Sequence, residues 1–275
     1  MNADTEALDA AVRAGGRALA ARERAGAYEG EMRWCAMLTA QYVIAHRLTQ
    51  RDIPEPRRPA LLRYLERSRG EHGLHGLHDH AGPSLFVSTL VYVAARCLGA
   101  GPDTRWLAPY RALFAQHDVL TIPTWGRVWL ALLDVYAWEG VHPMPVWMWA
   151  LPRALPLHPG RFYCHTRMIY LGVSLLRSEQ PQPGAGELTR ALRSELYPGR
   201  EYASLPFTAM RSVVSPLDRV AAEHPVLRAA YGAFALSERV TRPRHFASLR
   251  ARLREHVRYE LRSSDHLGLS PVSGL

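Results

Sequence analysis

The chain has 275 residues, 48% of them hydrophobic, which is enough to bury the core of one large domain or two small ones. No apolar run approaches the roughly 18 residues of a membrane span, and the N-terminus lacks the apolar segment of a signal peptide. Cys35, Cys97 and Cys164 lie far apart without metal-type spacing, so we expect a reduced, cytoplasmic chain.

The formal charge of +9 comes entirely from arginine, because the sequence contains no lysine. These arginines are spread along the chain and often stand at helical spacing beside glutamates. A nucleic-acid surface would instead cluster basic residues with interleaved aromatics on one face. We therefore expect no nucleic-acid partner, although a basic surface would assist docking on anionic lipid.

Apolar residues recur at helical spacing along most of the chain, whereas alternating strand patterns are scarce. Ser84 is predicted to cap one helix, Gly99 to stop it, and Pro59 to start the helix before it. The predicted helices are 5–25, 31–48, 60–69, 84–98, 103–116, 124–138, 145–151, 160–177, 187–196, 216–222, 225–238 and 243–261.

Two helix–turn–helix units, 60–99 and 106–138, begin about 45 residues apart, a period typical of stacked helical hairpins. The sequence thus predicts an all-α fold, an α/α toroid or partial α/α barrel. We expect an N-terminal helical extension at 1–27 and one domain at 28–275.

Residues 121–170 are the most unusual stretch, since they hold five of the seven tryptophans. Tryptophan needs a large space and a partner for its N–H, so such a cluster favours either a core between helices or the wall of a pocket for a large apolar ligand. Aromatic faces in such a wall can also stabilise a cation.

Three segments carry a resemblance to one family. They are YLERSRGEHGLHGLHDHAGPSLFVSTLVYVAARCLG, IPTWGRVWLALLDVYAWEGVHPMPVWMWALPRALPLHPGRFYCHTRMIYL and RSELYPGREYASLPFTAMRSVVSPLDRV. They resemble the oxidosqualene cyclases, which are class II triterpene cyclases, while WCAMLTAQYVIAHRL looks more like the bacterial squalene–hopene cyclases. The resemblance covers about residues 28–275 and implies one of the family's two α/α barrels.

The same resemblance implies a substrate-binding wall for an isoprenoid or polyene. Trp125 of IPTWG matches a cavity tryptophan, and Tyr163 stands where sterol-forming members usually carry tryptophan. His165 matches a histidine that steers the carbocation, while Thr166 and Tyr170 match the constriction of the substrate channel. For each of these residues the alternative is an ordinary place in the core.

The family's acid lies in a D-C-T-A-E or D-x-D-D motif of the C-terminal barrel, and neither motif occurs in this sequence. HLGLSPVSGL looks like the junction that leads into that barrel. The resemblance therefore implies the smaller barrel without the acid. Cys164 and the carboxylates Asp134 and Glu139 are expected to be structural, with Asp134 or Glu139 at a helix end or in an ion pair.

The loop 72–80 holds four histidines and one aspartate. Imidazole is a common metal ligand, so His78 and His80 are weak metal candidates, and Asp79 is a weak candidate for the catalytic acid. The alternative is a repeat turn, because the spacing lacks a helix-borne i, i+4 pair. We expect neither a metal nor another cofactor.

Three hypotheses stay open. In the first, the chain is the non-acid subunit of a split cyclase and pairs with a second, acid-bearing chain or with itself. In the second, it is a stand-alone terpene cyclase or isoprenoid-modifying enzyme that uses a different acid. In the third, it is a non-catalytic isoprenoid-binding scaffold.

Residues 143–157 are apolar and rich in tryptophan. They either pack inside the barrel or touch the inner face of a membrane through Trp147 and Trp149.

Overall fold

The computed structural model describes residues 3–24, 26–28, 35–78, 80–220, 224–240 and 246–266. The chain divides into two compact units, 1–34 and 35–275. The α-helices in the described part are α1 (Ala3–Ala20), α2 (Met37–Leu48), α3 (Arg57–Arg67), α4 (Leu85–Cys97), α5 (Ala108–Gln116), α6 (Thr124–Leu132), α7 (Cys164–Glu179), α8 (Glu187–Leu196), α9 (Pro225–Val240) and α10 (Ala247–Ser263).

The first unit contains α1, which runs without a break through the pair Gly15–Gly16. Two strands of two residues follow, β1 (Glu23–Arg24) and β2 (Ala27–Tyr28), and they pair antiparallel. This small hairpin is missed by the sequence analysis because strands of this length are too short to show alternation.

The second unit packs as the α/α toroid that the sequence predicts, with α4 at the centre of its core. All residues of α4 from Leu85 to Ala95 are buried, since the helix is apolar on every side. It contacts α2, α3, α5, α6 and α8. The all-α prediction is thus confirmed, and the predicted hairpin of α3 and α4 forms.

Both ends of α4 confirm the predicted stop and start signals. Ser84 Oγ accepts from the Val87 amide at 3.1 Å, and Gly99 adopts a φ of 96°, which a side chain would disfavour. Asp218 completes the N-terminus: its carboxylate accepts from Ser84 Oγ at 2.6 Å and from the Phe86 amide at 3.0 Å. The predicted start at Pro59 is two residues late, because this proline lies in the first turn of α3.

Several predicted helices are shorter than expected, for local reasons. α6 ends at Leu132 because Asp134 turns left-handed (φ 59°), and the Val135 amide then bonds to Leu130 O at 2.8 Å. Asp134 also pairs with Arg193 at 2.8 Å, as an ion-pair role predicts. Short 3₁₀ segments occur at Arg105–Leu107, Val119–Thr121, Trp138–Gly140, Val146–Ala150, Pro159–Arg161 and Tyr202–Ser204.

Two predictions of helix type are wrong. The segment 145–151 forms a 3₁₀ helix, bounded by Pro145 and Pro152, which cannot donate backbone hydrogen bonds. The segment 216–222 forms turns over its described part, 216–220, because Asp218 is held at the N-terminus of α4 and the Ser215 amide bonds to Thr121 O at 2.9 Å.

A second, smaller apolar cluster joins α7, α10 and the 3₁₀ segment Val146–Ala150. Its buried members are Val146, Leu171, Leu175, Leu249 and Leu253. An ion pair between Arg177 and Glu238, with Nη2 and Oε2 2.8 Å apart, ties α7 to α9. These contacts fix the C-terminal half of α7 and thereby position its N-terminal half, which carries most of the predicted wall.

The buried side chain of Arg127 holds three backbone segments together. Its guanidinium donates to Ile122 O at 2.6 Å, Val213 O at 2.6 Å, Gly140 O at 3.2 Å and Arg211 O. Within the described residues no carboxylate pairs with it, and burial lowers the pKa of Arg127. Removing the guanidinium from water costs free energy, and its hydrogen bonds to the carbonyls offset that cost. The offset is lost when the hydrogen bonds are lost.

The buried imidazole of His75 anchors the loop between α3 and α4. Ser68 Oγ donates to Leu65 O at 3.4 Å and so can accept from His75 Nε2–H at 3.1 Å, while Tyr110 OH donates to Nδ1 at 2.7 Å. Ser88 Oγ also contacts the His75 backbone. Burial lowers the pKa of His75 to about 4.

We expect Arg127→Met to lower the free energy of unfolding by more than about 3 kcal/mol, because it leaves several buried carbonyls without donors. Arg127→Lys keeps the charge but reaches fewer carbonyls, so it should lose less. Urea unfolding followed by circular dichroism measures both. The control is Arg105→Met at an exposed site, expected within about 0.5 kcal/mol of wild type; an equally small effect of Arg127→Met would contradict this role.

His75 should make the stability depend on pH. Its pKa is about 4 in the folded state against 6.5 unfolded, so the unfolded chain binds more protons between these values. Stability is therefore full above about pH 6.5 and falls by about 3 kcal/mol as the pH drops to about 4. Urea unfolding at several pH values should show a shallower slope for His75→Gln than for wild type.

The matched control is His72→Gln, an exposed histidine of the same loop, which should keep the wild-type slope. The pKa of buried His142 is also lowered to about 4, but His142 is present in all three proteins and cancels in the comparison. Parallel curves for wild type and His75→Gln would rule out the assignment.

Candidate functional site

The predicted wall residues lie in two places. Trp125 is on α6, whereas Tyr163, His165, Thr166 and Tyr170 lie at or just before the start of α7. Within the described residues no hydrogen bond or ring contact joins Trp125 to the other four. The structure thus places four of the five on one helix or its cap, with a ring contact between Tyr163 and His165, and the assignment of all five to a cavity wall stays a prediction.

Trp125 is half-buried and forms a pair with Trp129, whose ring lies 6.1 Å away and nearly perpendicular. Both indoles donate to the side-chain oxygen of Gln41 when its amide is oriented toward them, at 2.7 Å from Trp125 Nε1 and 3.1 Å from Trp129 Nε1. The buried amide fixes both rings. Trp129 is itself buried in the core, so the half-buried Trp125 is the ring of this pair that suits an apolar or cationic contact.

Gln41 is a residue that the sequence analysis missed. It is fully buried in α2, in the middle of the run MLTAQYVIAHRL. A lone amide among apolar residues of a core helix is the signal that could have found it, because a buried amide must find partners. The tryptophans that need such a partner lie more than eighty residues away, beyond the reach of local patterns.

The start of α7 carries an aromatic group that is open to solvent. Tyr163 precedes the helix, is 71% exposed, and its ring centroid lies 5.5 Å from that of His165. Thr166 is exposed as well, and Cys164 is a half-buried free thiol. A large aromatic ring with this exposure has no packing role in the described structure.

Tyr170 lies deeper on the same helix and is fixed by its surroundings. Its hydroxyl donates to Pro145 O at 3.3 Å and contacts Met148 Sδ at 2.8 Å. Its ring packs edge-on against Phe162 at 5.7 Å and lies 6.3 Å from Trp149. Burial raises the pKa of Tyr170, so this hydroxyl stays neutral.

The histidine-rich loop shows no metal geometry in its described part. His78 and His80 are exposed, and His78 Nδ1 accepts from the His80 amide at 3.3 Å. Among the described residues no three His, Cys, Asp or Glu side chains are arranged to hold a metal ion. Asp79, the weak candidate for the acid, lies outside the described residues. The histidine of this loop with a structural role is His75, which anchors the loop.

None of the helices in the described part of the chain has the length and hydropathy of a membrane span.

In the segment 143–157, Trp147 Nε1 donates to Ser237 Oγ at 3.0 Å and Trp149 Nε1 donates to Ser174 Oγ at 3.2 Å. Both indole N–H groups are therefore satisfied within the protein. Contact of this segment with a membrane stays a prediction.

Comparison with known proteins identifies the family. The model for the squalene-hopene cyclase N-terminal domain matches residues 12–262. Cycloartenol synthase of Dictyostelium discoideum is 33% identical over 255 residues, which are 90% of this chain and 35% of that protein. Lanosterol synthase of Mus musculus is 33% identical over 90% of this chain and 33% of its own length.

Protostadienol synthase A of Aspergillus fumigatus is 32% identical over 86% of this chain and 32% of its own length. The chain thus spans about a third of the length of these relatives. The resemblance inferred from IPTWG and the neighbouring segments is confirmed: the chain belongs to the squalene-hopene cyclase N-terminal domain family of the triterpene cyclases.

Proposed function

We propose that this chain is the non-acid half of a class II triterpene cyclase, and that it lines a polyene cavity completed by an acid-bearing barrel on a second chain. The observation that carries the proposal is the contrast within α7. Residues 163–170 are exposed or half-buried, whereas Leu171, Val173 and Ser174 are buried. An aromatic surface that is exposed on one half of a packed helix is suited to be covered by a partner.

The chemistry of this surface suits a carbocation. Ring faces attract positive charge, and the attraction grows when water is excluded. Tyr163 keeps an aromatic face at a position where sterol-forming relatives usually carry tryptophan, and His165 lies beside it with its ring centroid 5.5 Å away. Closure by a second barrel would remove water from both rings and supply the proton.

The described part of this chain offers one carboxylate with a raised pKa, that of the half-buried Asp218, and partial burial is the main cause. Both oxygens of Asp218 accept hydrogen bonds at the start of α4, which supports a structural role. The 275 residues also lack D-C-T-A-E and D-x-D-D. Both points favour an acid that lies outside these 275 residues.

The test is reconstitution of the full chain with a chain of the same organism that carries a D-C-T-A-E or D-x-D-D barrel. Squalene and oxidosqualene are the substrates, and gas chromatography with mass spectrometry detects cyclic products. We expect turnover only from the mixture. Tyr163→Ala should lower it about tenfold, the upper range of one cation–π contact, while Tyr163→Trp should keep it and shift the product ratio.

Tyr259→Ala is the matched control, because Tyr259 is 60% exposed on α10 and, within the described residues, makes no ring contact with Tyr163 or His165. Its turnover should equal that of wild type. Turnover by this chain alone would contradict the subunit proposal and favour a stand-alone enzyme, for which Asp79→Asn would test the acid. No turnover in any mixture, and no isoprenoid in lipid extracts of the pure chain, would favour a scaffold.

A further inference from the structure

A second feature lies beside the aromatic surface: a cleft of about 520 Å³ between the start of α7, the segment 149–161 and α10. We name it the basic cleft. Its volume lies within the range of small-molecule sites. Its apolar wall consists of Trp149, Leu249 and Leu253, which belong to the smaller hydrophobic cluster.

Four arginines line the basic cleft and have no partner within the described residues. They are Arg153, Arg161, Arg167 and Arg252. Their guanidinium groups make no hydrogen bond or ion pair with any group in the described part of the chain. The cleft's carboxylate, Glu260, faces His256, with its Oε1 3.5 Å from the imidazole Nε2.

A neighbouring cleft differs from the basic cleft in the pairing of its arginines. It has the same volume of about 520 Å³ and lies at the other end of α7. Its Arg177 pairs with Glu238 at 2.8 Å, and its Arg254 pairs with Glu179 at 2.6 Å. Repulsion among unpaired arginines destabilises a fold unless an anion is bound.

A histidine adds a hydrogen-bond donor of fixed orientation to the positively charged cleft. His158 lines the basic cleft and is only 6% exposed. Its Nδ1 accepts from the Gly160 amide at 2.9 Å, so in the neutral ring the proton lies on Nε2. No group among the described residues accepts from Nε2–H. A Cβ on residue 160 would lie 2.8 Å from His158 Nδ1, so glycine is required there for this geometry.

We propose that the basic cleft binds a phosphoryl group, either a free phosphate or diphosphate or a lipid phosphate. Several arginine forks and one imidazole donor suit the many acceptor oxygens and the double charge of a phosphoryl anion better than a single carboxylate. The apolar wall leaves room for an apolar substituent on that group. This proposal goes beyond the proposed function and does not depend on it.

The test is isothermal titration calorimetry of the full chain with inorganic pyrophosphate, together with co-sedimentation with phosphatidylcholine vesicles that contain or lack phosphatidic acid. We expect saturable binding that weakens about tenfold in Arg161→Gln and in Arg252→Gln, since each variant removes charged donors. Both arginines are exposed, so the variants should stay folded, which urea unfolding checks.

Arg258→Gln is the matched control, because it removes the same charge from an exposed site of α10 that does not line the cleft. It should bind as wild type does. Pyrophosphate binding without vesicle binding supports a soluble phosphorylated ligand, and vesicle binding that needs phosphatidic acid and both arginines supports a lipid headgroup. Equal weakening by all three variants, or no binding to either probe, would overturn the proposal.

Discussion

The buried guanidinium of Arg127 is the interaction on which the site depends. It joins the start of α6, the 3₁₀ turn at Gly140 and the turn segment 211–213 through four carbonyls. Carbonyls at the ends of short helices have no partners of their own, and a planar group with five donors satisfies several at once. Trp125 is only two residues from Arg127 on α6, so the hydrogen bonds that place this helix also place that ring.

The helices of this domain are short, and long-range polar contacts tie them to one another and to the segments between them. Asp218 caps α4 from more than a hundred residues away, and Arg177 joins Glu238 across α7 and α9. The first contact holds an irregular segment against a helix, so that segment is part of the architecture. This is why the residues around Asp218 form turns rather than the predicted helix, whereas α6 ends early through the local left-handed turn at Asp134.

The features of the fold that could be predicted from the sequence are those that depend on neighbouring residues alone. Ser84 and Gly99 mark the ends of α4 because cap and stop residues act on their own neighbours, and the apolar run between them makes the helix a core element. Arg127 and Gln41 could not be assigned, since their partners lie far away in sequence. The predicted wall rests on the resemblance of the segments around Trp125 and Tyr163 to one family. The exposure of Tyr163 could not be predicted, because it depends on which other elements pack beside it.

The two halves of α7 show how one helix can serve stability and function together. From Leu171 onward most of its side chains are buried, and Leu171 and Leu175 share one apolar cluster with Leu249 and Leu253 of α10, which holds the helix in place. Before Leu171, the helix has on its surface both the Tyr163–His165 pair and Arg167 of the basic cleft. An open aromatic surface and unpaired arginines both cost stability in an isolated chain. A fold keeps such groups when something outside it binds them, and rigid support from the buried half keeps their geometry ready for that contact.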